Sequence, residues 1–284
     1  MTAVKNLASG LYIVATPIGN LGDMTVRGRD ILAEADLIAC EDTRVTGKLL
    51  SAFGLKRPLL AYNDHNADKV RPKLLEMLRA RRIVALVSDA GTPLISDPGY
   101  KLVRDCVAEG LPVTAAPGAS ALLAALTLAG LPTDRFLFAG FLPPKSAARR
   151  GALGELAAVP ATLVFYETGP RLAGSLADMA AVLGAREGAV ARELTKLFEE
   201  VRRGPLAELA AHYAEMGGPK GEIVVIVGPP PAGETAAEDL DAALRRALSG
   251  NSTRDAAALV AGETGLPRKQ VYARALALAQ EGKD

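Results

Sequence analysis

Residues 83–99 read Ile-Val-Ala-Leu-Val-Ser-Asp-Ala-Gly-Thr-Pro-Leu-Ile-Ser-Asp-Pro-Gly, a strand that runs directly into a polar loop. Five consecutive apolar residues, mostly β-branched, predict a parallel strand covered on both faces. Ligands of open α/β sheets bind beyond the carboxyl ends of such strands. The following loop carries Asp89 and Asp97 among two glycines and two prolines, and it exceeds the ~2 to 6 residues of an ordinary connection. The stretch therefore predicts a ligand site, with an unusually long turn as the alternative.

Strands and helices alternate on both sides of this stretch, which predicts a mostly parallel sheet with right-handed crossovers. The first helix opens near Thr25, and we expect Asp23 to cap it. Gly54 and Gly110 end two later helices. The expected strands cover 11–15, 37–40, 59–62, 83–87, 113–116 and 136–141, and the expected helices cover 45–53, a region up to about 82, 100–109 and a region up to 129.

Residues 142–150, with two prolines and three basic residues, predict a hinge into a second unit. We interpret Lys145, Arg149 and Arg150 as a solvated linker, with contact to a polyanion as the alternative. Beyond the hinge the alternating pattern restarts, and two sheets with facing loops would enclose a cleft. The expected strands cover 161–166, 189–192, 199–203 (an edge strand) and 222–228, and the expected helices cover 171–183 and 206–215.

Three prolines at 229–231 break the chain, and only helical patterns follow, at 238–249, 253–264 and 268–280. A helix capped near Ser252, a Gly265-Leu266-Pro267 turn and a helix that opens with basic residues fit a helix-turn-helix, whose second helix commonly reads nucleic acid. A small bundle packed on the body is the alternative. The predicted fold class is α/β, with two α/β domains at 1–130 and 131–231, a cleft between them, and a helical domain at 232–284.

Composition excludes several classes of protein. The 284 residues are 49% apolar and 23% charged with a formal net charge of +1, which describes a globular chain without a global preference for polyanions. The chain lacks an apolar run long enough for a leader or a membrane span, so we expect a soluble, cytoplasmic protein with no membrane partner. Cys40 and Cys106 have no ligand spacing and are expected to be reduced core residues. Walker, His-Glu-x-x-His and Gly-x-Gly-x-x-Gly motifs are absent, and two histidines leave little material for a metal site, so we expect no metal.

Five motifs in a fixed order carry a family resemblance. They are Leu-Tyr-Ile-Val-Ala-Thr-Pro-Ile-Gly-Asn-Leu-Gly-Asp at 11–23, Cys-Glu-Asp-Thr-Arg at 40–44, Ser-Asp-Ala-Gly-Thr-Pro-Leu-Ile-Ser-Asp-Pro-Gly at 88–99, Phe-Tyr-Glu at 165–167 and Arg-Glu-Leu-Thr-Lys at 192–196. Together they resemble the ribosomal RNA small subunit methyltransferase I family of the tetrapyrrole methylase superfamily, over nearly the whole chain.

The resemblance implies S-adenosylmethionine as methyl donor, bound in the cleft between the two domains. It implies the ribose 2′-hydroxyl of a decoding-centre cytidine in 16S rRNA of the small ribosomal subunit as acceptor, and a homodimer. Gly and Pro allow a backbone to approach such a donor closely. Matched by position, the donor contacts of the superfamily fall on Pro17, Ala90, Gly91, Thr92, Ile95, Ser120, Ala121, Tyr166 and Leu194.

The catalytic candidates are polar residues at strand ends. Asp89 directly precedes the expected donor loop and is our candidate to support removal of the hydroxyl proton. A purely structural role, in which its carboxylate accepts backbone N–H bonds, is the alternative. Arg44 and Lys196 would hold phosphate or stabilise developing negative charge.

Further RNA contacts are expected at Arg171, Arg268 and Lys269. One departure from the family pattern is Pro170, which stands where relatives often carry a histidine and so excludes a general base at that position. Two other functions remain open: a corrinoid or porphyrin methyltransferase of the same superfamily, and a non-enzymatic regulator that binds nucleic acid.

Overall fold

The computed structural model describes residues 7–231, 235–264 and 266–281. The first half of the chain forms a five-stranded, all-parallel sheet in the order β3-β2-β4-β1-β5. Strand β4 lies at its centre, and Val84 to Val87 are buried between apolar clusters on the two sides of the sheet. The prediction of a buried parallel strand is therefore confirmed. The strands are β1 (Gly10–Val14), β2 (Leu37–Cys40), β3 (Leu59–Ala61), β4 (Ile83–Val87) and β5 (Val113–Ala116), and the helices are α1 (Val26–Glu34), α2 (Thr43–Ala52), α3 (Ala67–Arg79), α4 (Tyr100–Ala108) and α5 (Ala121–Leu128).

The start of α1 differs from the prediction. Thr25, not Asp23, is the N-cap, and its side chain accepts a hydrogen bond from the Gly28 N–H. Asp23 instead lies in a short 3₁₀ helix, Leu21–Asp23, which ends before the cap position. Hydroxyl and carboxylate side chains cap helices about equally well. Because the 3₁₀ helix includes Asp23, Thr25 is the residue left to cap α1. The expectation for Cys40 and Cys106 is confirmed, because both are buried and neither forms a disulfide.

The second half forms a mixed sheet in the order β6-β7-β10-β8-β9. Only β6 and β7 pair in parallel; β10 lies between β7 and β8 and runs antiparallel to both. Strand β9 is an edge strand, as predicted. The strands are β6 (Phe136–Phe141), β7 (Thr162–Thr168), β8 (Glu187–Arg192), β9 (Glu200–Pro205) and β10 (Glu222–Val227), and the helices are α6 (Ser146–Leu156), α7 (Gly169–Leu183) and α8 (Leu206–Met216).

The predicted hinge at 142–150 is wrong. Helix α6 begins at Ser146, and Arg149 is buried, with a guanidinium nitrogen 2.7 Å from the Asp178 carboxylate of α7. The Asp178 carboxylate also accepts a hydrogen bond from the Ser146 hydroxyl. The basic cluster thus contains a residue that ties α6 to α7, and its second half belongs to a packed helix of the second half of the chain.

Helix α5 joins the two sheets. Its residues Leu122, Ala125 and Leu126 share an apolar cluster with Val224 and Ile226 of β10. This packing fixes the loops of the first sheet opposite β7 and β10 of the second.

A separate compact unit begins at Pro231. It contains α9 (Thr235–Leu248), α10 (Thr253–Thr264) and α11 (Arg268–Glu281). Leu244, Val260 and Val271 lie in its core, and the Ser252 hydroxyl accepts a hydrogen bond from the Asp255 N–H, which confirms the predicted cap. Residues 232–234 of the predicted helical domain and Gly265 of the predicted turn lie outside the described residues. No helix among the described residues is both long and apolar enough to cross a bilayer.

Candidate active site

A cavity of about 370 Å³ lies between the two sheets, and we call it the cleft cavity. Its lining comes mainly from the loop after β4, the start of α5, strands β7 and β10, and Leu194 in the loop after β8. All the expected donor contacts except Pro17 line it: Ala90, Gly91, Thr92, Ile95, Ser120, Ala121, Tyr166 and Leu194. Pro17 lines an adjacent cavity of about 380 Å³ beside helix α2, which we call the α2 cavity.

The loop after β4 is anchored through its backbone. Gly91 adopts φ +79° and exchanges two hydrogen bonds with Thr16, of 2.9 and 3.0 Å. A Cβ atom on Gly91 would lie 3.3 Å from a methyl carbon of Ile18, which lines the cavity. Leu94 and Ser96 also have positive φ, at +73° and +64°. Such strain at non-glycine residues is characteristic of functional loops, and both residues lie in the loop that borders the cleft cavity.

Further backbone groups face the cleft from the start of α5. The Thr92 hydroxyl donates to the Ala119 carbonyl oxygen at 3.0 Å and so ties the β4 loop to this segment. Ser120 caps α5, and both Ser120 and Ala121 line the cavity. The first turn of a helix carries partial positive charge and unpaired N–H groups, which favour a carboxylate ligand.

Carboxylates crowd one side of the cavity. Burial and the neighbouring Glu41 carboxylate raise the pKa of Asp97 to about 6. Burial and Asp89 raise the pKa of Glu41, and burial also raises the pKa of Asp89. The Asp89 Oδ1 accepts the Asp42 N–H at 3.1 Å, so this carboxylate both holds the β2 loop and lines the cavity. A cationic ligand would relieve the mutual repulsion.

Lys196 is held by two carboxylates beside the α2 cavity. Its Nζ lies 2.8 Å from Glu193 Oε1 and 2.9 Å from Glu222 Oε2. Although burial opposes it, these hydrogen bonds raise the pKa of Lys196. The aliphatic part of the side chain lies over Gly19, where an added Cβ would be 2.5 Å from Lys196 Cγ. Lys196 therefore contacts Gly19 in the first half of the chain and Glu222 in the second. It lines the α2 cavity as a cation that is already paired.

The remaining predicted site residues fall in different places. Arg44 is exposed and pairs with Asp42, whose pKa its guanidinium lowers to about 2. Arg171 donates to the Leu142 carbonyl oxygen and lies 3.4 Å from the buried Glu167 carboxylate; its contact with RNA phosphate stays a prediction. Arg268 and Lys269 are exposed in the first turn of α11.

Sequence reasoning missed three features of the site. It did not identify Phe141, which packs edge-on against Tyr166 with ring centroids 5.6 Å apart and lines the cleft cavity. It did not assign Glu222, and it did not identify the α2 cavity. The spacing of apolar residues along α2 could have indicated the α2 cavity, because it predicts an apolar helix face. No group of three or more His, Cys, Asp or Glu side chains within the described ranges is placed to hold a metal ion.

The fold defines the class of protein. It resembles the solved structure of uroporphyrin-III C-methyl transferase from Thermus thermophilus complexed with S-adenyl homocysteine, with a TM-score of 0.53 and 22% identity over 77% of this chain and 97% of that one. It also resembles diphthine synthase, with a TM-score of 0.59 and 16% identity over 77% of this chain and 89% of that one. A sequence profile of the Tetrapyrrole (Corrin/Porphyrin) Methylases matches residues 10–210.

Closer relatives specify the family. A profile described as the RsmI C-terminal HTH domain matches residues 234–279. The protein named Ribosomal RNA small subunit methyltransferase I is 58% identical in Erythrobacter litoralis, over 97% of this chain and 98% of that one. The proteins of the same name from Mesorhizobium japonicum and Escherichia coli O157:H7 are 51% and 48% identical, each over 96% of this chain and over 94% and 97% of their own. The chain belongs to the ribosomal RNA small subunit methyltransferase I family, within the tetrapyrrole methylases.

Proposed function

We propose that this protein transfers a methyl group from S-adenosylmethionine to 16S rRNA of the small ribosomal subunit, at the ribose 2′-hydroxyl of a decoding-centre cytidine. One observation carries the proposal: residues from four separate segments, each expected to contact the donor, line a single cavity between the sheets. The names of the relatives support rRNA as the acceptor. The assignment of a decoding-centre cytidine as the target, and of its ribose 2′-oxygen as the methylated atom, rests on the family resemblance.

The cleft cavity has the chemistry that such a donor needs. Ile18, Leu194 and Tyr166 supply apolar walls, and the Gly91 loop and the start of α5 supply backbone donors and acceptors. The crowded carboxylates Asp89 and Asp97 favour a cationic sulfonium over the neutral thioether that remains after transfer. The same arrangement would therefore bind the donor and weaken the hold on the product.

The reaction demands little covalent chemistry from the protein. The donor supplies an electrophilic methyl group when it is bound. This chain has to align a ribose oxygen with that methyl, and orientation of this kind can lower a barrier by ~7 to 11 kcal/mol. Asp89 lines both cavities and is our candidate to accept the hydroxyl proton, a contribution of ~10²- to 10⁴-fold. Arg44 would contact RNA phosphate from its exposed position on α2.

The C-terminal unit would assist docking of the RNA through Arg268 and Lys269, in the first turn of its last helix. Its phosphate contacts would add affinity without taking part in the reaction. We also propose that the protein acts as a homodimer, as the family resemblance implies.

Two measurements test the proposal. Calorimetry with S-adenosylmethionine should give one site per chain. Small ribosomal subunits that lack the modification should accept a radiolabelled methyl group, and mass spectrometry of the digested RNA should place it on the ribose of one cytidine. Donor binding without transfer to subunits, or a methyl group on a base, would contradict the assignment. Transfer to a porphyrin or corrinoid instead would identify the other superfamily reaction.

A further inference from the structure

Helix α2 presents a stripe of side chains that the protein does not cover. Val45, Lys48, Leu49 and Ala52 follow the spacing of one helix face, and all four line the α2 cavity. The adjoining side of the helix is the packed one, because Leu50 is buried in an apolar cluster. The buried Thr46 lies between that side and the cavity, which it also lines. This partly apolar face borders the α2 cavity. The volume of that cavity, about 380 Å³, lies within the range of small-ligand sites.

The α2 cavity and the cleft cavity share a wall. Ile18, Asp89, Ala90 and Glu222 line both. Ligands in the two cavities would therefore lie next to each other at Asp89 and Ala90. Group transfer requires such proximity, because reacting atoms must approach to ~3 to 3.5 Å.

A buried polar group points to a ligand with hydrogen-bonding atoms. Thr46 is 2% exposed, and its hydroxyl has no oxygen or nitrogen partner within the described ranges, although the weakly bonding Cys40 thiol interacts with it. Thr46 also lines the α2 cavity. Because buried hydroxyls are nearly always paired in folded proteins, this one is suited to bond a polar atom that enters the cavity.

The charges around the cavity fit an entering polyanion. Lys48 is exposed and makes no ion pair in the part of the chain that the structure describes. Arg44 lies one turn earlier on the same helix and is also exposed. Lys48 and Lys196 line the cavity together with the Asp89 and Glu222 carboxylates. The two exposed cations of α2, Lys48 and Arg44, lie along the edge of this helix and suit the phosphates that flank a nucleoside.

We infer that the α2 cavity receives the acceptor nucleoside, flipped out of the RNA, with its base against Val45, Leu49 and Ala52 and its ribose at the wall shared with the cleft cavity. Enzymes that modify a nucleotide commonly extrude it into a pocket and hold its base between apolar side chains. The inference rests on the proposed function and specifies where its acceptor binds. Lys48 would contact a flanking phosphate, and Asp89 would face the 2′-hydroxyl.

Filling the cavity tests this assignment. Ala52→Trp places a large side chain in the α2 cavity from an exposed position, and Ser51→Trp, an exposed neighbour that lines neither cavity, is the matched control. We expect Ala52→Trp to lower kcat/KM for unmodified small subunits at least ~10-fold, with the calorimetric Kd for S-adenosylmethionine unchanged. Ser51→Trp should match the wild type in both. Thr46→Val removes one hydroxyl at nearly constant volume and should lower kcat/KM roughly fivefold.

The outcomes separate the two proposals. If the wild-type protein transfers no methyl group to subunits, the proposed function fails. If the wild type is active and Ala52→Trp is equally active, the acceptor assignment alone is overturned. An equal loss of donor affinity and of transfer in Ala52→Trp would also overturn it, because the α2 cavity would then belong to the donor.

Discussion

Gly91 is the residue on which the proposed donor site depends most directly, because its positive φ lets the β4 loop pair with Thr16 and pass close to Ile18. We expect Gly91→Val to abolish calorimetric binding of S-adenosylmethionine. Gly110→Val is the control, since Gly110 has a similar φ of +67° with open space around its Cβ position. Both variants should lose ~1 to 2 kcal/mol of stability from the left-handed backbone, but only Gly91→Val should lose the donor. Wild-type donor affinity in folded Gly91→Val would refute the assignment.

A substitution at Asp89 distinguishes a catalytic role of its carboxylate from a structural one. Asp89→Asn keeps an oxygen that can accept the Asp42 N–H, so the β2 loop should stay in place. We expect donor binding to persist, weakened by no more than the loss of one nearby negative charge, and a single-turnover rate of methyl transfer at saturating donor lower by at least ~10²-fold. Glu41→Gln is the control, because Glu41 lines the cleft cavity but not the wall shared with the α2 cavity. Near-normal transfer by Asp89→Asn would leave Asp89 with the structural role only.

Asp97 should make stability depend on pH. Its folded pKa of about 6 lies above the ordinary value of 3.8, so the folded state binds more protons than the unfolded state between these values. Stability is then lost as pH rises through this window, and the penalty is complete above pH 6. We expect Asp97→Asn to melt ~2 to 4 °C above the wild type at pH 8, with a smaller difference at pH 4.5. A difference independent of pH would show that Asp97 does not titrate in this range.

At the scale of elements, the α6–α7 pair depends on one buried ion pair. The side chains of Arg149 and Asp178 are 7% and 12% exposed, and removal of one partner leaves the other charge buried. We expect Arg149→Ala to lower the free energy of unfolding by ~3 to 5 kcal/mol, measured by urea denaturation. Arg150→Ala, at the exposed neighbouring position, should stay within ~0.5 kcal/mol. The double variant Arg149→Met/Asp178→Leu should recover most of the loss, and failure to recover would mean that the pair does more than neutralise charge.

At the scale of the whole molecule, the chain divides into two compact units at Pro231. All residues of both cavities lie in the first unit. A protein of residues 1–230 should therefore bind S-adenosylmethionine with wild-type affinity and dock RNA less tightly. Its affinity for RNA should depend less on salt, by ~0.7 log units per log salt for each lost contact to single-stranded phosphate. An unchanged salt slope and an unchanged rate would show that the C-terminal unit makes no RNA contact.

The strands and helices were largely predictable, because their periodicity is a local property of the chain. Strands β4, β5 and β6 begin and end where the apolar runs predict. The loop after β4 was predicted to form a ligand site, since glycine, proline and carboxylates follow a buried strand, and the structure places this loop along the cleft cavity. The family motifs then assigned expected donor contacts to residues that, apart from Pro17, the structure gathers around one cavity.

Only the tertiary structure decided which strands pair and which charges are matched. Strand β10 follows β8 and β9 in sequence but lies between β7 and β8, and no local pattern encodes that insertion. Arg149 and Asp178 are 29 residues apart, and Lys196 and Glu222 are 26 apart, so the sequence alone suggested free cations where the fold supplies carboxylates. The sequence by itself determined the elements and the chemistry of their loops, because both depend on near neighbours along the chain. The cavities and the partners of each charge depend on contacts between distant segments, which exist only once the two sheets have packed together.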